Sequence, residues 1–170
     1  MIKYIKLYDL IGFKICWFLC ACCSVWGQPY LGPIVTLLFI LIHLTIVKFK
    51  SRDIQVIIIA ILCGLFFDSI FSYLNLINYK GGILSYYNLA PLWILSMWAG
   101  FSLTMIYTLE RIKEKYFISS LLGFVGGPLS YSAGVGIGSL DIQTNFAYVF
   151  LAVSWAIVVP LLFRYVNSFD

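Results

Sequence analysis

The ionisable side chains that stand out within, or at the edge of, long apolar runs are Asp68, His43 and Glu110. In a bilayer such a group costs about 2.5–3.5 kcal/mol to insert, so each is a candidate site for a proton, a cation or a polar head group. Asp68 stands out. Gly64 and Ser72 lie four residues either side of it on one helical face. Small residues there let a second helix approach closely. A carboxylate so placed either does chemistry or bonds helices together through serine and tyrosine hydroxyls, and both readings stay open. His43 is the one histidine, a lower-ranked candidate for catalysis and more readily a backbone-bonded or head-group-facing ring. Glu110 adjoins Arg111 and Glu114 and reads as a solvated charge.

The elements that must position these groups follow from composition. Of 170 residues, 62% are hydrophobic and 11% charged. Soluble domains run near 45–50% apolar and about 25% charged, so this chain lacks the polar residues to coat a globule in water. A single integral membrane domain over residues 1–170 is expected, an all-α bundle of transmembrane helices. Six apolar runs are long enough to span, at approximately 10–26, 33–49, 54–77, 89–109, 117–140 and 146–166. No stretch alternates with period two, which argues against a barrel.

The connections alternate in charge. Lys3, Lys6 and Lys14 start the chain; Lys48, Lys50 and Arg52 lie between spans two and three. Arg111, Lys113 and Lys115 lie between spans four and five, and Arg164 near the end. The other three connections hold one base, Lys80. Basic loops stay on the cytoplasmic side, so six spans with both termini inside are expected. The alternative for the first span is a cleaved signal peptide, with Leu19-Cys20-Ala21-Cys22 approximating a lipoprotein site.

Orientation converts sequence position into depth. Asp68 lies roughly 21 Å up span three at 1.5 Å per residue, and His43 only about 8 Å deep in span two. A direct Asp68–His43 pair is therefore not expected. Similar depths select Ser96 in span four, Ser130, Tyr131 and Ser132 in span five, and Ser154 and Trp155 in span six. Asp68, Ser96, Ser130 and Tyr131 form the expected polar cluster. In span five, Gly123, Gly127, Ser130 and Gly134 make a small-residue stripe, and Gly126, Gly127 and Pro128 are expected to soften and kink the helix. With Gly64, these are the expected packing positions. Pro160 is expected to kink span six.

Other chemistries are disfavoured. Cys16, Cys20 and Cys23 share one helical face and read as packing residues, as do Cys22 and Cys63. No zinc spacing, Walker loop, histidine box or serine–histidine–acid set at one depth is present. No metal or cofactor is expected. Bases confined to one side read as topology signals and not as a nucleic-acid face.

Four stretches resemble a bacterial family, domain of unknown function 2878: Trp26-Gly-Gln-Pro-Tyr-Leu-Gly-Pro33, Gly64-Leu-Phe-Phe-Asp68, Ala90-Pro-Leu-Trp93 with Trp98, and Gly126-Gly-Pro-Leu-Ser-Tyr-Ser-Ala-Gly134. The resemblance runs the length of the chain. It implies a small multi-pass inner-membrane protein of bacteria with no established activity. It also implies a link to lipid, since members are often encoded beside enzymes that modify membrane fatty acids. A polar amide of the family's fourth span is replaced here by Ile106. The Gly64–Asp68 stretch is also similar to the rod-shape-determining protein D group. Size and topology suit the substrate-binding subunits of energy-coupling-factor transporters. Both are fold analogies. The leading expectation is a non-enzymatic membrane component that binds lipid or a protein partner. The alternatives are a transporter or transporter subunit with the Asp68 cluster as its substrate or proton site, and a membrane-embedded lipid-modifying enzyme using Asp68 with Ser130 or Tyr131.

Overall fold

The computed structural model describes residues 2–48 and 50–169, with side chains from Tyr4 onward. Phe49, the expected end of the second span, and the Lys3 side chain lie outside the described residues. Among the described residues six α-helices follow in order: α1 (Ile2–Val25), α2 (Leu31–Ile46), α3 (Ser51–Tyr73), α4 (Leu92–Leu103), α5 (Tyr116–Ile137) and α6 (Asn145–Asn167). Among the described residues, four helical stretches are long and apolar enough to cross a membrane: Tyr4–Val25, Ser51–Tyr73, Tyr116–Ile137 and Asn145–Asn167. Leu31–Ile46 and Leu92–Thr108 are apolar but shorter. Ile11, Ile15, Leu37, Leu41, Ile58, Leu62, Phe124, Phe150 and Ile157 all face outward, an exterior suited to lipid and not to water.

The helix ends differ from the hydropathy edges for local reasons. α1 begins eight residues before its apolar run. α3 stops short of residue 77 because Asn75 takes φ 52°, and α5 stops at Ile137 because Gly138 takes φ 85°, left-handed conformations that terminate helices. The residues beyond are not plain loop. β1 (Ile77–Tyr79) pairs antiparallel with β2 (Leu140–Ile142), Asn78 facing Asp141. This ribbon ties the α3–α4 connection to the α5–α6 connection. At the opposite end of the bundle lie both described chain ends and the basic connections. α4 passes there into a π-helical turn, Thr104–Thr108.

Close helix contacts coincide with glycines. A Cβ on Gly32 would stand 2.5 Å from Cys20 Cα, locking α2 onto α1. One on Gly64 would overlap the Trp98 ring of α4, and one on Gly127 would stand 2.5 Å from Trp155 Cγ of α6. Pro128 and Pro160 both lie inside continuous helices. Pro160 cannot bond the Ala156 carbonyl four residues back. Ser120 of α5 donates its hydroxyl to that carbonyl instead, at 2.8 Å, so the freed acceptor is used for helix pairing. The five cysteines are free thiols, four of them buried.

Candidate functional site

α3 carries two fully buried carboxylates, Asp53 and Asp68, fifteen residues and so roughly 22 Å apart along its axis. Each is the centre of a polar cluster built from several helices.

At the ribbon end, Asp68 Oδ1 accepts the Tyr79 hydroxyl at 2.7 Å and the Tyr131 hydroxyl as well. Asp68 Oδ2 accepts the Trp98 indole N–H at 2.8 Å. The three donors come from β1, α5 and α4. β1 is held in place from behind: Trp93 Nε1 donates to the Lys80 carbonyl at 2.8 Å, and Lys80 N donates to Ser139 O at 2.9 Å. Trp98 in turn stacks on Trp155, ring centroids 4.6 Å apart. The absence of a side chain at Gly64 makes room for Trp98, one turn before the carboxylate it must reach.

Of the expected cluster, the structure brings Asp68 and Tyr131 together. Ser96 turns away and donates to Leu92 O at 2.8 Å. Ser130, 100° round the helix from Tyr131, accepts the Trp17 indole N–H of α1 at 3.1 Å. Ser132 and Ser154 bond their own helices. Tyr79 and Trp98 were not singled out as ligands of the carboxylate. Trp98 shared Asp68's depth and an indole N–H, whereas Tyr79 sits on a connection whose fold the sequence pattern does not reveal.

The second cluster lies at the basic end and contains His43. Its Nδ1 is 2.7 Å from Asp9 Oδ1, and its Nε2 faces Asp53 Oδ2 at 3.5 Å. All three residues are completely buried. Asp53 is also bonded by the Tyr107 hydroxyl, at 2.7 Å, and approached by Arg52 Nε at 3.3 Å. The His43 and Tyr107 rings are 5.2 Å apart. Asp9 comes from α1, His43 from α2, Arg52 and Asp53 from α3. Tyr107 comes from the π turn, a distortion that often accompanies functional sites. Asp9 Oδ2 and His43 Nε2 are buried with no hydrogen bond. A neutral imidazole has one N–H to offer and an imidazolium has two, so this ring can donate to one of the two carboxylates when neutral and to both when charged. No group of three or more His, Cys, Asp or Glu residues suited to a metal ion occurs among the described residues.

A groove of about 910 Å³ opens on the bundle's outer surface where α1 diverges from α5. Phe13, Trp17 and Phe18 form one wall, Gly126 and Leu129 the other, Phe101 and Trp155 the floor; Lys14 stands at its side. Gly126 meets no neighbour and leaves the groove open, while Gly134 abuts Leu140 of β2 at 3.0 Å from its Cβ position. Gly126, Gly127, Pro128 and Gly134 thus do different things: one opens a groove, one admits Trp155, one removes a donor, one seats the ribbon.

No curated protein and no solved structure matches the chain. A family model described as "Protein of unknown function (DUF2878)" matches residues 6–161.

Proposed function

The chain belongs to the DUF2878 family, and from that premise we propose that it is a multi-pass protein of the bacterial inner membrane whose α1–α5 groove binds the acyl chain of an anionic lipid. The topology proposed is six spans with both termini cytoplasmic, the two short helices included. The ten-to-one distribution of bases between the two sets of connections supports it. So do the aromatic residues near both ends, among them Trp26, Tyr86 and Tyr87 at one and Tyr4 and Tyr116 at the other, all exposed.

The observation that carries the lipid reading is the groove itself. It is aromatic-walled and opens sideways onto the lipid-facing surface. Its volume lies within the range of small-molecule sites. Lys14 lies on its rim, where it would select an anionic head group over a zwitterionic one. This favours a binding component over an enzyme, because none of the buried carboxylates Asp9, Asp53 and Asp68 lines the groove.

Gly126→Phe is the direct test, since a side chain there meets only the open groove. Native mass spectrometry of the full chain, released from vesicles of phosphatidylglycerol and phosphatidylcholine, is expected to show retained phosphatidylglycerol. The variant retains less of it while its melting temperature stays within a few degrees of wild type. Lys14→Gln should narrow the preference for phosphatidylglycerol over phosphatidylcholine. Undiminished retention by Gly126→Phe would sink the reading. A transporter remains the second reading, favoured by the His43 cluster; uptake whose pH dependence is the same in wild type and His43→Gln would count against it.

A further inference from the structure

Beside the buried His43 cluster lies a pocket of about 210 Å³ lined by Lys50, Arg52, Tyr107, Glu110 and Lys113, with Ile106 and Val166 as its apolar back. We infer that this pocket is a binding site for a phosphate-class anion, either a phospholipid head group or soluble phosphate. The inference is independent of the α1–α5 groove, which uses none of these residues.

Topology signals require only that a loop carry bases. Here bases from two different connections line one pocket. Lys50 Nζ lies 5.8 Å and Arg52 Cζ 5.7 Å from the centroid of Tyr107, within cation–π range, and Lys113 arrives from the connection after the π turn. The one acid in the lining, Glu110, is held by Lys6 at 2.7 Å. The buried acid behind it, Asp53, is bonded by Tyr107 and approached by Arg52 and His43. Lys6, Lys50, Arg52 and Lys113 outnumber Glu110 and Asp53, so the pocket is positive. A guanidinium with two ammonium groups is the donor set that binds phosphate, the fork by geometry and the lysines by charge.

The walls are anchored. Asn167 Nδ2 donates to Lys113 O at 3.0 Å, and Thr108 Oγ1 to Lys6 O at 3.2 Å. Arg52 and Tyr107 also touch Asp53, and Asp53 faces His43. An anion engaging Arg52 therefore acts on the carboxylate that His43 senses, which ties occupancy of the pocket to the buried cluster.

The test compares two double variants of the full chain with equal charge loss in the same connections: Lys50→Gln/Lys113→Gln, which strips the pocket, and Lys48→Gln/Lys115→Gln, which does not. Each is reconstituted in nanodiscs. One arm titrates inorganic phosphate into phosphatidylcholine discs; the other measures phosphatidylglycerol retention from mixed discs by native mass spectrometry. The expected result is binding by wild type in at least one arm, weakened about tenfold in the pocket variant and unchanged in the control. Whichever arm responds identifies the source of the anion. Equal losses in both variants, or no binding by wild type in either arm, overturns the inference. Gly126→Phe should remove only the groove's share of the retained phosphatidylglycerol and leave both the phosphate arm and the share that Lys50→Gln/Lys113→Gln removes, so failure here and failure of the groove reading separate cleanly.

Discussion

The two buried clusters of α3 share a helix, a residue type and complete burial, yet they are finished differently. Around Asp68 each carboxylate oxygen accepts from at least one neutral donor, and Tyr79, Trp98 and Tyr131 have all used their polar hydrogens. Around His43 the geometry is incomplete. Asp9 Oδ2 and His43 Nε2 make no hydrogen bond, and the surrounding groups are charged. A cluster in which every buried polar atom has a partner reads as architecture. An unsaturated one leaves a polar atom whose satisfaction awaits a proton, a water or a ligand.

The sharpest way to break this contrast is Asp68→Ala. It removes one acceptor group from three buried donors, each of which then loses about 1–3 kcal/mol. Thermal unfolding in detergent should register a loss of several kcal/mol or failure to accumulate. Gly64→Ala comes next. Its methyl overlaps Trp98 and forces the indole off Asp68, and overpacking of this kind costs about 1–3 kcal/mol. Tyr79→Phe removes a single donor and leaves Asp68 Oδ1 bonded by Tyr131. A loss of about 1 kcal/mol is expected by the same melting measurement. The smallest effect belongs to Asp9→Asn. Asn Oδ1 still accepts from His43, and Asp9 Oδ2 has no partner to lose. A change below about 1 kcal/mol is expected. If Asp9→Asn melts as low as Gly64→Ala, the basic-end cluster is architecture too and the contrast collapses.

The periodicity that places Asp68 at depth also places Tyr131 there, because both sit inside uninterrupted apolar helices. Ser96 and Ser130 show the limit of that reasoning: depth is a property of sequence position, but azimuth depends on which helix packs where. Asp9 and Asp53 escape a hydropathy reading because each lies one residue outside an apolar run, the runs starting at Leu10 and Ile54. The backbone takes no notice of that edge, and α1 is helical from Ile2. A signal was present. Asp9 continues the Cys16, Cys20, Cys23 face one heptad earlier, and that whole face is buried. Asp53 likewise heads the buried stripe Ile57, Ala60, Gly64, Asp68. The β ribbon had no comparable signal, since three residues per strand carry no usable period and the pairing joins segments more than sixty residues apart.

The order of Asp68's partners along the chain has a consequence for biosynthesis. All three donors are made after it, Tyr79 by 11 residues, Trp98 by 30 and Tyr131 by 63. At a translation rate of about 5–20 residues per second, the last arrives roughly 3–13 s after the carboxylate leaves the ribosome. Until then the nascent α3 cannot be released into lipid in its final form. It must be held at the insertion machinery, or enter with its acid neutralised and be completed when α5 docks. A carboxylate that ends with three donors is therefore one that keeps the first half of the chain waiting for the second.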